Sequence, residues 1–402
     1  MAVALVPTDA PESAFMTLPG RASHSGRLAF RIALLALSLA VSGMTLLGPA
    51  RAADRIDAPT RLFVARQPID GADLPRAVVA ASPPPAPLAI GAYDVALEAA
   101  RVRFGVPGIS LAVLKGNGAG WSGTAGSIEP GRPLVIGSVM KTFVAAITLQ
   151  LADEGAIGLG DPVTRYLPEA KMARGVTIAE LLQHTSGIAD LFTESMSHAL
   201  NADRSHAWSR AEILKTIGGP WFMPGKGWAY SNTNYLLLGM LIERVTGSPL
   251  HDVLAARFTA PLGLTSTRLI GPGEAADDGL LDPAWASAFW GSGATESTVD
   301  DLVRWGEALY GGALLKPATL RRMTAFNKDD YGLGTQRVQL TKTLVGPGHS
   351  GLLGTYTTLL VHLPKQDVTL AVIAHQSHAD LTGILSYRQG SAPSLLDLLL
   401  AP

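Results

Sequence analysis

Between Gly137 and Gln150 the chain carries a single charged residue, Lys141, in a run that otherwise reads Val139, Met140, Phe143, Val144, Ala145, Ala146, Ile147 and Leu149. A helix made of these residues has no polar face and must be enclosed on every side, so the fold has to be large enough to wrap it. The 402 residues, 47% hydrophobic and 16% charged, provide for a core of that size. Burial also bears on chemistry. An ammonium taken out of water loses preference for its charged form, which places Lys141 to act as a base. Ser138 lies one turn earlier on the same face, where a neutral amine can take the hydroxyl proton and leave an alkoxide-like nucleophile. The competing reading, a lysine snorkelling at a helix edge, gives the pair no chemistry.

Charge narrows the partners. With 32 basic and 33 acidic residues, the chain has no electrostatic footprint for nucleic acid or another polyanion, and the expected partner is a small molecule or a polymer end. The absence of cysteine removes a lipid-attached N-terminal Cys, disulfides and thiol catalysis together. At the N-terminus, Arg21, Arg27 and Arg31 precede an uncharged run from Ile32 to Gly48, and Ala50-Arg51-Ala52 has small residues at cleavage-site spacing. Residues 1–52 therefore read as a signal peptide cut after Ala52, with export to the periplasm or beyond; initiation at Met16 would give a leader of more usual length. The rival reading is an uncleaved inner-membrane anchor, the one expected route to a membrane. Ser38, Ser42, Gly43 and Thr45 weaken it in a run barely long enough to span a bilayer. Residues 53–90, rich in Ala, Pro and Arg and containing Ser82-Pro-Pro-Pro-Ala-Pro87, read as a linker.

The folded part is expected to open with an amphipathic helix at Tyr93 to Phe104. Strands follow at Ile109 to Leu114 and Gly120 to Ser127, separated by the turn Gly116-Asn117-Gly118, and then comes the Ser138 helix. From Leu151 to about Leu302 helical patterns alternate with breakers such as Gly158-Leu-Gly-Asp-Pro162, Met223-Pro-Gly225 and Gly271-Pro-Gly273. After a helix at Val299 to Tyr310, strand signals return at Gly334 to Leu340, Thr355 to His362 and Val368 to Ala374, with a closing helix at Ser394 to Leu400. This order indicates an α+β domain over residues 91–398: an antiparallel sheet flanked by helices (about 91–150 and 300–398), interrupted by an all-α part (about 151–299), with a site in the cleft between them.

Two further motifs add chemistry. Tyr230-Ser231-Asn232 follows the turn at Pro224-Gly225 and precedes an apolar helix from Tyr235 to Ile242. A phenol near a lysine ammonium has its phenolate favoured, so Tyr230 can relay a proton to a leaving group, while the Asn232 amide can donate to a substrate carbonyl and accept from Lys141. The plainer reading is turn decoration. His349-Ser350-Gly351 stands before the strand expected near Thr355; Gly351 would let a substrate approach the strand edge, and His349 with Ser350 would bind an anionic or carbonyl group. Alone, a His before a strand is more often structural, but three such motifs in one chain outweigh coincidence.

Together they resemble the serine β-lactamase and penicillin-binding protein superfamily, in particular the branch of class C β-lactamases, D-alanyl-D-alanine carboxypeptidases and family VIII esterases, over roughly Ile90 to Ala374. Ile178-Ala-Glu-Leu-Leu-Gln-His-Thr-Ser-Gly-Ile188 is similar to a hallmark of the family; on its own residues His184-Thr-Ser-Gly187 is a helix end closed by Gly, and it is assigned no chemistry. The resemblance implies that Ser138 is the acylated nucleophile, Lys141 its base, Tyr230 the proton shuttle and Asn232 a substrate-positioning residue. The backbone amides of Ser138 and Leu352 would form the oxyanion hole, the first aided by the helix dipole. No cofactor or metal is implied. His349 stands where class C β-lactamases have the lysine of Lys-Thr-Gly, and a neutral imidazole holds a carboxylate less strongly than a fixed ammonium. The expectation is an exported serine hydrolase that acts through an acyl-enzyme on an ester, amide or D-alanyl peptide, with weak or no β-lactamase activity. The alternative is a catalytically slow penicillin-binding or scaffold protein.

Other assignments fit less well. His375-Gln-Ser-His378 lacks a completing carboxylate and the His-Glu-x-x-His pattern of a zinc hydrolase, and no Gly-x-Ser-x-Gly elbow marks a lipase. Asp190 and Glu194 read as solvated loop and helix-start carboxylates. Of the tryptophans, Trp228 is the one expected nearest a substrate.

Overall fold

The computed structural model describes residues 90–401 apart from Asp278, so the leader and linker expected over residues 1–89 lie outside the described residues. Nine strands are described: β1 (Gly108–Lys115), β2 (Gly120–Gly126), β3 (Leu134–Val135), β4 (Arg268–Leu269), β5 (Thr295–Ser297), β6 (Gln336–Gln339), β7 (Val345–Leu353), β8 (Tyr356–Leu363) and β9 (Val368–Ala374). The main sheet has the order β2-β1-β9-β8-β7-β6, with every neighbouring pair antiparallel. The described α-helices are α1 (Ile90–Phe104), α2 (Met140–Asp153), α3 (Ile178–Leu182), α4 (Glu194–Ala202), α5 (Arg210–Thr216), α6 (Asn232–Thr246), α7 (Leu250–Leu254), α8 (Pro283–Phe289), α9 (Val299–Tyr310), α10 (Pro317–Met323), α11 (Leu381–Ser386) and α12 (Leu395–Leu400). None is long and apolar enough to cross a membrane.

The sheet is covered on both faces, which is why β1, β8 and β9 read as nearly continuous apolar runs. Side chains alternate across a strand. Ile109, Leu111 and Val113 of β1, Leu359 and Val361 of β8, and Leu370 and Val372 of β9 pack with α1, α11 and α12 in one core. Ala112, Leu360, Ala371 and Ile373 enter the other, which also contains α2, α6 and α9. Helix α9 lies close on the sheet: a Cβ at Gly306 would come within 2.8 Å of the Leu360 and Thr369 side chains. It also joins the sheet to α2, because Trp305 stacks on Phe143 at 3.8 Å and its indole N–H donates to the Thr142 hydroxyl at 2.8 Å. Helix α2 is thus enclosed as its composition requires.

Three expectations are corrected. His349-Ser350-Gly351 precedes the expected strand, β8 from Tyr356, but itself lies within β7, a strand not among those expected; Gly346, Pro347, Gly348 and Gly351 disguise it because glycine and proline are poor strand formers. The largely helical stretch 151–299 is not all-α, since β4 and β5 form a small three-stranded sheet with β3. Helix α6 begins at Asn232, so Asn232 is the first residue of the helix rather than part of a preceding turn.

Candidate active site

The site begins where the turn Gly137–Val139 runs into α2. Lys141 has no exposed surface. Its Nζ lies 2.9 Å from Ser138 Oγ, 2.8 Å from Asn232 Oδ1 and 2.7 Å from the Ser292 carbonyl oxygen. Burial lowers its pKa from the ordinary 10.5 to about 7, and the Asp190 carboxylate pulls it part of the way back. A neutral amine has two N–H donors and one lone pair. The two carbonyl oxygens can only accept, so they take the N–H groups and the lone pair is left for the Ser138 hydroxyl proton.

Asn232 reaches this point from the N-terminus of α6. Its Oδ1 accepts from Lys141, and its Nδ2 donates to Asp190 Oδ2 at 3.0 Å, which fixes the orientation of the amide. Asp190 is therefore not the solvated loop carboxylate the sequence suggested. Its Oδ1 also accepts from the Phe192 N–H at 3.1 Å, and burial raises its pKa against the pull of those partners and Lys141. Glu194 is exposed in the first turn of α4, in keeping with its reading.

Tyr230 shares a hydrogen bond with Ser138, but burial, with Tyr235 and Asp190 adding to it, raises the phenol well above its ordinary pKa despite that bond. The expectation of a favoured phenolate is overturned. Lys141 Nζ sits over the ring, 4.9 Å from its centroid, and the group near neutral pH is a phenol.

The His184 segment is a bracket for both residues. His184 has φ +60° and Gly187 φ +75°, so the left-handed positions after α3 are shared rather than left to the glycine alone. The His184 ring is fully buried and packs against the Tyr230 ring at 4.3 Å, while Nδ1 accepts from the Ser231 N–H at 3.2 Å. Its carbonyl accepts from the Ala229 N–H at 3.0 Å, and the Gly187 carbonyl accepts from the Trp221 N–H at 2.8 Å. A Cβ at Gly187 would stand 2.0 Å from the Phe222 carbonyl oxygen. Trp228 is a wall of this aromatic box, edge-on to His184 at 6.2 Å, whereas Trp221 is exposed.

On β7 the arrangement differs from expectation at two residues. His349 has no exposed surface, so its ring does not face a ligand. Its Nδ1 is 2.6 Å from the Ser350 carbonyl oxygen and its Nε2 is 2.9 Å from the Tyr331 hydroxyl. Burial, with Lys141 adding repulsion, lowers its pKa to about 3. The neutral ring then carries its proton on Nδ1, donated to Ser350, and Nε2 accepts from Tyr331. Gly351 makes room for the protein itself and not for a substrate, because a Cβ there would lie 2.0 Å from the Ile136 carbonyl oxygen. Gly137, at φ +53°, is likewise pressed against β7, its Cβ position 3.0 Å from the Leu352 amide nitrogen. The Leu352 amide thus lies beside the residue that precedes Ser138. Ser350 donates from both its N–H (2.9 Å) and its hydroxyl (3.0 Å) to Gln336 Oε1.

Sequence reasoning missed Asp190, the Ser292 carbonyl, Tyr331 and Gln336. A backbone carbonyl has no sequence signature, and the three side chains come from loops and strand ends whose pairing is not local. Among the described residues no group of three His, Cys, Asp or Glu side chains could hold a metal ion.

A serine facing a buried amine at the mouth of a helix, beside the edge of an antiparallel sheet, defines the class of serine hydrolases with the β-lactamase and transpeptidase-like fold. The sequence profile of the Beta-lactamase family matches residues 95–389, and the chain belongs to that family. It is 26% identical over 278 residues to penicillin-binding protein 4* of Bacillus subtilis (strain 168), covering 60% of each chain. It is 30% identical over 248 residues to penicillin-binding protein 4 of Amycolatopsis lactamdurans, covering 58% of this chain and 62% of that one. The match thus spans about three-fifths of the length of these relatives. Among solved structures, a D-stereospecific amidohydrolase from Streptomyces sp. superposes with a TM-score of 0.66 at 30% identity, covering 74% of this chain and 97% of that one. The D-amino acid amidase of Ochrobactrum anthropi SV3 complexed with L-phenylalanine amide gives 0.61 at 25%, covering 71% and 90%.

Proposed function

We propose that this protein hydrolyses an amide, ester or peptide bond next to a D-amino acid through a covalent acyl-enzyme on Ser138. The observation that carries the reading is the set of contacts at Lys141 Nζ, where two carbonyl oxygens occupy the N–H groups and the Ser138 hydroxyl meets what remains. The Lys141 lone pair takes the hydroxyl proton as Oγ adds to the substrate carbonyl. The Ser138 and Leu352 amides receive the developing oxyanion. The Tyr230 phenol gives its proton to the leaving nitrogen or oxygen and recovers one from the Lys141 ammonium, and water then releases the acyl group. Asn232 holds Lys141 and offers its remaining N–H to the substrate, while His349 and Gly351 act by shaping β7. The D-amino acid preference is supported by two structural neighbours, one named a D-stereospecific amidohydrolase and the other a D-amino acid amidase; export is proposed on the basic and apolar composition of residues 1–52.

The test is intact-protein mass spectrometry of the chain and its Ser138→Ala variant with a p-nitrophenyl ester, D-phenylalanine amide, a D-alanyl-D-alanine peptide and a penicillin, with turnover followed in parallel. The expected outcome is an adduct or turnover that falls by roughly 10³-fold or more in the variant. Identical behaviour of the two proteins across the panel would refute the reading.

A further inference from the structure

The edge of β7 that bears Ser350 beside the Ser138 turn is only partly paired. Strand β6 covers it from Val345 to Gly348, where Gly348 is opposite Gln336, while β7 continues to Leu353 against β8 on its other side. Gln336 is the first residue of β6 and extends the ladder with its side chain, its Oε1 accepting both the N–H and the hydroxyl of Ser350. Because an N–H can only donate, the atom facing Ser350 has to be the amide oxygen, and the NH2 is turned away. Neighbouring contacts hold the residue in place: the Thr335 hydroxyl donates to the Gly348 carbonyl at 3.0 Å, and Tyr331 bridges to Gln336 across the turn.

Ser350 lies two residues along the same edge from Leu352, about 7 Å at 3.3–3.4 Å per residue; a carboxylate one residue from the attacked carbonyl extends about half that way, and a hydrogen bond of about 2.9 Å spans most of the rest. A carboxylate there would need donors or a positive charge. It meets neither. Both Ser350 donors are occupied, the lone pairs of Gln336 Oε1 stand in front of them, and His349 is a buried neutral ring. Arg337 alternates to the opposite face and lies 3.4 Å from Asp330.

We infer that Gln336 is a specificity-determining residue that shuts this end of the site to a free carboxylate and selects acyl donors that are uncharged there: amides, esters and peptides continuing past the scissile bond. The inference rests on acylation at Ser138. A carboxylate-bearing donor has to displace the Gln336 amide and break two hydrogen bonds to reach Ser350.

The experiment compares one matched pair, an N-acyl-D-alanyl-D-alaninamide and the corresponding free acid, by kcat/KM and by Ser138 adduct formation in the full-length protein and in Gln336→Ala, Gln336→Glu and Gln336→Arg. The wild type is expected to favour the amide by at least about tenfold. Gln336→Ala frees Ser350 and should narrow the ratio, and Gln336→Arg, which offers a bidentate cation, should move it at least tenfold toward the acid. Gln336→Glu keeps the two bonds and adds a negative charge, so it should widen the preference for the amide. Damage to the fold would lower both members together and leave the ratio where it was. Adducts with a ratio unmoved in all three variants would overturn the assignment to Gln336 alone. The absence of both a Ser138 adduct and Ser138-dependent turnover with either member would overturn it together with the reading on which it rests.

Discussion

With its pKa lowered to about 7 by burial, the Lys141 amine is half neutral near neutral pH, and only the neutral form can accept the Ser138 proton. The rate of acylation should therefore rise with pH, reaching about a tenth of its plateau at pH 6 and about nine-tenths at pH 8. The nearby Asp190 carboxylate favours the ammonium, so Asp190→Asn should move this midpoint to lower pH, read from kcat/KM against pH; a midpoint that moved upward would contradict the assigned electrostatics. At this scale the sequence was informative where the link is local. Ser138 and Lys141 are tied by one helical turn, and burial of Lys141 follows from its apolar neighbours. The neutral state of Tyr230 was not legible, because it comes from burial of the phenol, with Tyr235 and Asp190 adding to it, and that burial is made by segments distant in the chain. Asp190 was misread because its bond to Asn232 spans 42 residues and nothing in its own neighbourhood announces it.

Strand β7 and the turn that carries Ser138 are pressed together through absent side chains at Gly351 and Gly137. The atom that a Cβ at Gly351 would meet, 2.0 Å away, is a backbone carbonyl oxygen, which cannot swing aside as a side-chain tip can. Gly351→Ala should push β7 off the turn, cost about 1–3 kcal/mol in stability and suppress Ser138 acylation while the far-ultraviolet circular dichroism is kept. Gly219→Ala, where nothing lies within 4 Å, serves as the control and should leave both readings unchanged. An active, fully stable Gly351→Ala protein would show that the contact does not matter. The glycines that permit this approach also explain why β7 escaped recognition while β1, β8 and β9 did not. The β-branched runs of those strands advertise burial on both faces, whereas the strand nearest the chemistry trades propensity for closeness.

Across the whole molecule, three buried basic groups around the site lean in one direction. His184 and His349 are held below the ordinary histidine pKa and Lys141 below the ordinary lysine value, so in each case the unfolded chain binds more protons and stability rises with pH. For His349 the window runs from about 3 to the ordinary 6.5, and for Lys141 from about 7 to the ordinary 10.5. Burial raises Tyr230, Tyr235, Tyr310 and Tyr331, which reverses the slope above their ordinary value of 10.0. Asp190 and Asp301, also raised by burial, oppose the trend only in the carboxylate range. The urea midpoint should thus climb between pH 7 and 10 and then fall, and in Lys141→Met the climb should vanish; a flat wild-type profile over that range would refute the account. The α+β architecture was legible from the order of helical and strand patterns. The placement of β9 between β1 and β8 was not, since strand order is decided by contacts between distant segments. The dry surroundings of Lys141 make folding itself an acid-releasing reaction. At mildly alkaline pH each molecule that folds sheds close to one proton from this amine, and each that unfolds takes one up, so the measured heat of unfolding will depend on the ionisation enthalpy of the buffer that supplies it.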